Sequence, residues 1–140
     1  MIDKKWIGTT TEWISTKVTR KEVQEFCTVI GEENLLYQNI TVAKEAGYAD
    51  IPLPPTYPIL FWQSIELPWL TDDFTMLQSD QSFSYEHTLI ANKTYHCQIQ
   101  LQKLRTQSNQ QFIVHRLSID DGDGLAATSD TTMVLRYQEE

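Results

Sequence analysis

The sequence predicts an α+β domain in which an antiparallel β-sheet wraps around one central, apolar α-helix. Residues 95–102 alternate strictly between apolar and polar side chains, which is typical of a half-buried strand. Residues 56–65 are apolar on nearly every side, so a helix at this position must be buried all round. The 140 residues are expected to form one domain over residues 1–140.

The first half of the chain is predicted to hold short helices. Residues 9–19 are β-branched and aromatic, and we expect them to form part of a sheet face or edge. Thr19 and Glu22 have the spacing of a capping box, which predicts the start of a helix that ends at Gly31. A second short helix is expected from about residue 41 to residue 46, with Gly47 as its stop.

The central helix is expected to follow a proline-rich stretch. Four of the five prolines fall within residues 51–58. Because the first amides of a helix have no intrahelical partner, Pro54 and Pro55 are tolerated as an entry to a helix over residues 56–65. Strands are expected around residues 82–86, 95–102, 113–119 and 125–137. Hairpin turns at residues 106–110 and 121–124 make the last three neighbouring strands antiparallel.

Composition excludes several classes of function. Eleven Lys and Arg against nineteen Asp and Glu give a net charge of -8, which argues against binding to nucleic acids or anionic membranes. The chain has no apolar run long enough to span a bilayer and no signal-peptide core, so a cytoplasmic location is expected. The histidines and cysteines lack metal-ligand spacing and the glycines form no nucleotide-binding motif, so neither a metal nor a cofactor is expected.

The densest cluster of chemically active side chains lies within residues 26–37, where a carboxylate, an amide and a phenol follow Gly31. Together with the Ile-Pro-Leu-Pro-Pro-Thr-Tyr-Pro sequence of residues 51–58, this segment resembles the MaoC-type hot-dog dehydratases and (R)-specific enoyl-CoA hydratases. The resemblance covers essentially the whole chain and is strongest to the N-terminal, FAS1-like half-domain of that family, which is catalytically degenerate. It implies a hot-dog fold.

The resemblance also marks candidate catalytic residues. Active members of the family carry Gly-Asp-x-Asn-Pro-x-His, in which the Asp and His hold a water and exchange a proton at the α-carbon of an acyl thioester. Gly31 and Asn34 match this motif, whereas Glu32 stands at the Asp position and Tyr37 at the His position. A phenol with a pKa near 10 is a poor base at neutral pH. Glu32 and Tyr37 are therefore degenerate catalytic positions, or they only cap a helix end and fill a loop.

Further candidates lie at the start of the expected central helix and on the strands. In the family, backbone amides at that helix start bind the thioester carbonyl, and the matching positions are Thr56 and Tyr57. With Asn34 they are the predicted substrate-binding residues, although Thr56 also suits a plain capping role. The three histidines are candidate bases from elsewhere in the chain: His87, His96, expected on a polar strand face, and His115, expected in the core.

The resemblance implies a subunit of a 3-hydroxyacyl-thioester dehydratase, that is, an enoyl-CoA hydratase acting as a hydro-lyase. This chain would shape the pocket for an acyl-CoA or acyl-carrier-protein thioester, while a partner hot-dog chain supplies the Asp and His. One alternative is a non-enzymatic homodimer that binds an acyl thioester. Another is a divergent hydratase that uses Glu32 as its base.

Overall fold

The chain folds into a five-stranded antiparallel sheet whose inner face is covered by short helices and loops. The computed structural model describes residues 1–138, except for the side chains of residues 78 and 79. The elements are β1 (Ile14–Val18), α1 (Arg20–Ile30), α2 (Ile40–Glu45), α3 (Ile59–Trp62), β2 (Phe74–Tyr85), β3 (Lys93–Gln107), β4 (Gln110–Asp120) and β5 (Leu125–Tyr137), with 3-10 turns at Lys4–Trp6 and Leu35–Tyr37. None of these helices is long and apolar enough to cross a bilayer.

The strand order in the sheet is β1-β3-β4-β5-β2, so β1 and β2 are the two edges. The two predicted hairpins join β3 to β4 and β4 to β5, and both predictions are confirmed. Strand β2 pairs antiparallel with β5 and begins at Phe74, well before the predicted start near residue 82. Residues 74–81 show no clear alternation of apolar and polar side chains, because an edge strand exposes both kinds.

The inner face of the sheet forms the core, as the alternation in the sequence predicts. The side chains of β3 and β4 that point inward are completely buried: Tyr95, Cys97, Ile99, Leu101, Ile113, His115, Leu117 and Ile119. Helix α1 places Val23 and Cys27 against this core. The predicted capping box is present, since the Thr19 hydroxyl accepts a hydrogen bond from the Glu22 amide at 3.1 Å and the Glu22 carboxylate accepts one from the Thr19 amide at 3.2 Å.

The two helix stops predicted at glycines are also confirmed. Gly31 ends α1 with φ at 74°, in the left-handed region that favours glycine. Helix α2 ends at Glu45, and Gly47 follows with φ at 98°. The Asn39 side chain begins α2 by accepting hydrogen bonds from the Thr41 and Val42 amides.

The prediction of a central helix over residues 56–65 is wrong in its length and in its burial. Only α3, four residues long, is α-helical, and its first residue Ile59 is 40% exposed. The flanking backbone closes three-residue turns, for example from the Tyr57 amide to the Pro54 carbonyl at 2.9 Å. Pro54, Pro55 and Pro58 lack amide protons, and a proline disfavours helical geometry in the residue before it, so α-helical structure begins only after Pro58.

Candidate functional site

The loop after α1 is shaped by hydrogen bonds from two of the predicted site residues. The Glu32 carboxylate accepts a hydrogen bond from the Asn34 amide at 3.0 Å. The Asn34 side chain accepts one from the Leu36 amide at 3.0 Å and so caps the turn Leu35–Tyr37. Gln38 donates its side-chain amide to the Glu32 carbonyl at 2.7 Å. Glu32 and Asn34 are therefore occupied in holding this loop.

Tyr37 stands at the end of that turn and lines a cavity of about 180 Å³. The remaining lining residues come from the α2–α3 connection and from the end of β2 and the loop after it: Tyr48, Pro52, Leu53, Pro55, Tyr85, Thr88 and Leu89. The Tyr85 hydroxyl donates a hydrogen bond to the Pro55 carbonyl and ties β2 to the proline-rich segment. The fold thus brings Tyr37 together with the segment that carries Thr56 and Tyr57.

The phenol of Tyr37 is a poor proton acceptor in this environment. Partial burial raises its pKa above the usual value of 10, and the nearby Glu32, Tyr48 and Cys27 raise the pKa further. The phenol is consequently neutral at physiological pH. In that state it donates a hydrogen bond but does not remove a proton from carbon.

Thr56 and Tyr57 lie in the turn before α3. The Tyr57 amide is used by the Pro54 carbonyl, so it is not free to bind a thioester carbonyl. The Tyr57 ring is buried and meets Phe26 edge-on, with the ring centroids 5.1 Å apart. Thr56 is exposed, and within residues 1–138 no hydrogen bond engages its amide. The expectation of two free amides is thereby corrected to one, at Thr56.

An apolar groove of about 310 Å³ runs between α3 and the edge strand β2. It is lined by Ile59, Trp62, Gln63, Leu67, Leu70, Phe74, Met76, Gln81, Thr131 and Met133. Within the described chain β2 is hydrogen-bonded to β5 alone, so its other edge is open. Met76 and Leu77 on this edge are 50% and 64% exposed. The molecule therefore presents an apolar groove next to an open strand edge.

None of the three histidines is among the residues that line the cavity of Tyr37. His87 contacts the Asp121 carboxylate through Nδ1 at 2.9 Å, and His96 contacts the Ser15 hydroxyl at 2.8 Å. His115 lies in the core, as expected, where burial lowers its pKa to about 4. Among the residues that the structure describes, no group of three His, Cys, Asp or Glu side chains is placed to hold a metal ion.

Comparison with known proteins identifies the family. The family model described as the FAS1-like dehydratase domain region matches residues 5–128. The chain belongs to this family. The FAS1-like chain is also 30% identical over 125 residues to a UPF0336 protein of Thermobifida fusca, covering 85% of this chain and 82% of that protein. A UPF0336 protein of Streptomyces coelicolor is 28% identical over 131 residues, covering 89% and 87%.

Comparison with solved structures identifies the fold of the FAS1-like chain. A chain of the HadBC (3R)-hydroxyacyl-ACP dehydratase complex from Mycobacterium tuberculosis superimposes with a TM-score of 0.75 at 17% identity, covering 92% of this chain and 96% of that one. The ChsH1–ChsH2 complex from the same organism gives 0.74 at 15%, covering 94% and 86%. The (R)-hydratase of A. caviae gives 0.71 at 15%, covering 91% and 94%. The FAS1-like chain therefore has the hot-dog fold of the MaoC-like dehydratases, as the sequence predicts.

Sequence reasoning missed the polar side chains that lie beneath α3 in the core of the FAS1-like chain. Ser129 and Thr131 are buried on the inner face of β5, and the Trp62 ring lies 5.5 Å from the ring of His115. The signal was available in β5, where Ala127, Ser129, Thr131 and Met133 share one face. Two hydroxyl residues at successive core-facing positions are unusual, because an apolar side chain packs there without a hydrogen-bonding requirement.

Proposed function

We propose that this chain is the pocket-forming subunit of a heteromeric 3-hydroxyacyl-thioester dehydratase, in which a second hot-dog chain supplies the catalytic Asp and His. The observation that carries the proposal is the state of the two motif positions. Glu32 holds the loop through the Asn34 amide, and Tyr37 is a phenol with a raised pKa. Neither position offers the imidazole that proton removal at a thioester α-carbon requires near neutral pH.

The open edge of β2 supports a partner chain. Met76 and Leu77 expose large apolar surface beside an apolar groove, and an unpaired strand edge is a ready site for pairing with another chain. HadBC and ChsH1–ChsH2, two of the similar structures, are named as complexes of two chains. A second hot-dog chain pairing at β2 would cover Met76 and Leu77 and place its own loop residues next to this groove.

The charge distribution favours a partner different from this chain. Residues 45–92, which include α3 and β2, contain seven Asp and Glu but no Lys or Arg. In a homodimer through β2, two such acidic segments would face each other, which like-charge repulsion disfavours. An acyl-CoA or acyl-carrier-protein thioester also brings negative charge. The partner is therefore expected to carry the basic residues that attract the thioester and complement this segment.

The proposed reaction divides the work between the two chains. The partner's His removes the proton from the α-carbon and returns it to the C3 hydroxyl as the bond from C3 to that oxygen breaks, so that water leaves at the position held by the partner's Asp. The double bond forms between the α-carbon and C3. The exposed Thr56 amide of this chain is the group available to stabilise the enolate oxygen, and the groove between α3 and β2 takes the acyl chain.

The test is hydratase activity on crotonyl-CoA, measured for this chain alone and together with the product of a neighbouring hot-dog gene. We expect activity only in the mixture. Activity of this chain alone that disappears in Glu32→Gln would contradict the proposal and favour a divergent hydratase. Absence of hydratase activity in both preparations, with acyl-CoA binding intact, would instead favour a non-enzymatic homodimer that binds an acyl thioester.

A pair of variants tests the β2 edge directly. Leu77→Lys is expected to abolish both complex formation in size-exclusion chromatography and activity in the mixture, because it places a charge in the apolar contact. Leu125→Lys is the matched control, since Leu125 is also exposed but lies nine residues along β5 from Val134, the residue that pairs with Leu77. At about 3.3 Å per residue this separation is about 30 Å. Equal loss in both variants would count against β2 as the contact.

A further inference from the structure

Beneath α3 the inner face of the sheet changes from apolar to polar. Thr131 of β5 pairs directly with His115 of β4, and Ser129 lies two residues along β5 on the same face. Above them the Trp62 ring meets the His115 ring edge-on, with the centroids 5.5 Å apart. We call His115, Ser129, Thr131 and Trp62 the polar floor. Its three sheet residues are at most 2% exposed, so they lie deep in the core.

The hydrogen bonds of the polar floor are incomplete. The Trp69 indole N–H donates to Nε2 of His115 at 2.9 Å, which leaves the imidazole proton on Nδ1. Among the residues that the structure describes, four buried polar atoms have no hydrogen-bond partner: Trp62 Nε1, His115 Nδ1, Ser129 Oγ and Thr131 Oγ1. Two of them are N–H donors and two are hydroxyls that donate or accept. Unpaired buried groups are destabilising, so this set is suited to an external hydrogen-bond acceptor.

The polar floor adjoins the groove between α3 and β2, in which the acyl chain is proposed to bind. Trp62 and Thr131 line both, and the rest of the groove is mainly apolar, with side chains such as Leu67, Phe74 and Met133. A ligand that fills this space meets mainly apolar walls, the amide side chains of Gln63 and Gln81, and at one place Trp62 and Thr131, whose unpaired polar atoms lie buried beneath the groove surface. That combination matches an apolar chain interrupted by a polar atom, and it is unsuited to a plain hydrocarbon chain, which would leave the donors unpaired.

The charge of the surroundings decides between a neutral and an anionic acceptor. None of the residues that line the groove is charged, residues 45–92 contain no Lys or Arg, and burial keeps His115 neutral at physiological pH. A carboxylate carried into the groove would lose its hydration without gaining a cation. A ketone, hydroxyl or ether oxygen accepts the same hydrogen bonds without this cost.

We propose that the polar floor recognises a neutral oxygen on the acyl chain, far from the thioester, so that the substrates of this protein are oxygenated acyl thioesters. The inference rests on the proposed function for the location of the acyl chain. Within the groove, the oxygen accepts hydrogen bonds from the donors of the polar floor, and apolar residues contact the chain on either side of it. The thioester end remains at the catalytic residues of the partner chain.

The experiment compares three ligands of equal chain length: an unsubstituted acyl-CoA, the acyl-CoA with a ketone next to its last carbon, and the acyl-CoA with a terminal carboxylate. Each is prepared at eight, ten, twelve and fourteen carbons, and is titrated into the purified chain and into its complex with the neighbouring hot-dog gene product. Calorimetry gives the dissociation constants. For at least one length, the keto ligand is expected to bind about tenfold more tightly than either of the others.

Two conservative variants assign the preference to the polar floor. Thr131→Val keeps the size and shape of the side chain and removes a hydroxyl, and Trp62→Phe keeps an aromatic ring and removes the indole N–H together with part of the ring volume. Both variants are expected to bind the keto and the unsubstituted ligands with equal affinity. Thr128→Val is the control, because Thr128 lies on the outer face of β5. It should keep the preference.

The outcomes separate this inference from the proposed function. Equal affinity for the keto and unsubstituted ligands at every length, in the chain and in the complex, overturns the inference even if the complex is an active hydratase. A preference that survives in both Thr131→Val and Trp62→Phe also overturns it. A keto preference that these variants abolish, in a complex without hydratase activity, supports the inference and counts against the proposed function.

Discussion

The guanidinium of Arg20 binds both carboxylate oxygens of Asp50, through Nε at 3.0 Å and Nη2 at 2.8 Å. Asp50 also accepts a hydrogen bond from the Ile51 amide at 2.7 Å and is itself buried. Because Arg20 is the first residue of α1 and Ile51 begins the proline-rich segment, this pair joins two elements on either side of the candidate site. The bidentate geometry fixes their relative position better than a single bond would.

We expect Asp50→Asn to lower the free energy of unfolding by about 1–3 kcal/mol, because it weakens hydrogen bonds to a buried acceptor. The hydrogen bonds from Arg20 lower the pKa of the Asp50 carboxyl below its usual value. The contribution of Asp50 is therefore complete above about pH 4, where the unfolded carboxyl is ionised, and is lost as the pH falls toward the lowered pKa. Urea unfolding between pH 7 and pH 3 measures both effects.

Glu25→Gln is the matched control for this prediction. Glu25 forms an exposed pair with Lys21 at 3.9 Å on α1, and such pairs add little to stability. An Asp50→Asn protein that unfolds at the same urea concentration as the original, or whose stability keeps the same dependence on acid pH, would disprove the structural role of the pair.

We also expect His115 to make the free energy of unfolding depend on pH, in a higher pH range than Asp50 does. Burial lowers the pKa of His115 from 6.5 to about 4, so between these pH values the unfolded chain binds a proton at this residue and the folded chain does not. The stabilising contribution is complete above about pH 6.5 and falls by about 3 kcal/mol as the pH is lowered to about 4. Nitrogen NMR of the imidazole should show a neutral ring protonated on Nδ1 throughout pH 5–8. A protonated His115 at pH 5.5 would rule this out.

Tyr37 is expected to take no part in proton transfer. Because its pKa is raised, Tyr37→Phe should leave the pH profile of hydratase activity in the complex unchanged, with kcat/KM within about threefold of the original. Tyr85→Phe, which removes the hydrogen bond to Pro55, is the comparison for a change in the same cavity. A loss of a hundredfold or more in kcat alone, specific to Tyr37→Phe, would place Tyr37 among the catalytic residues.

The features predicted correctly from the sequence depend on neighbouring residues. The capping box needs only Thr19 and Glu22, and the alternation in β3 is set by the two faces of one strand. The late start of α3 depends on the amides that three prolines remove within five residues, and the all-round apolar character of residues 56–65 concealed this effect. The engagement of the Tyr57 amide was missed for the same reason, because its hydrogen bond to the Pro54 carbonyl belongs to that local turn.

The groove and the polar floor could not be predicted because they join distant parts of the chain. Trp62 and Thr131 meet only once β5 has paired with both β4 and β2. The positions of the degenerate motif were readable, since Glu32, Asn34 and Tyr37 follow one helix end. The hydrogen bonds of these residues could not be predicted, because the side chain of Glu32 can reach either the loop or an external ligand. Only the structure shows that it accepts a hydrogen bond from the Asn34 amide.

The buried Gln111 ties the N-terminal segment to the last two strands. Its side-chain oxygen accepts hydrogen bonds from the Ile2 amide at 2.8 Å and the Tyr137 hydroxyl at 2.7 Å. Its side-chain nitrogen donates to the Ile2 carbonyl at 2.8 Å and the Thr106 hydroxyl at 3.1 Å. Gln111→Leu leaves several of these groups buried and unpaired, so we expect it to lower the free energy of unfolding by about 3 kcal/mol.

Urea unfolding and hydrogen exchange of the Ile2 amide measure this effect, and the exchange should become faster even under conditions where the variant remains folded. Gln107→Leu is the control, because Gln107 is exposed at the end of β3 next to the same hairpin. Its stability should stay within about 0.5 kcal/mol of the original. If the Ile2 amide exchanges at the same rate in Gln111→Leu as in Gln107→Leu, Gln111 does not anchor the N-terminal segment.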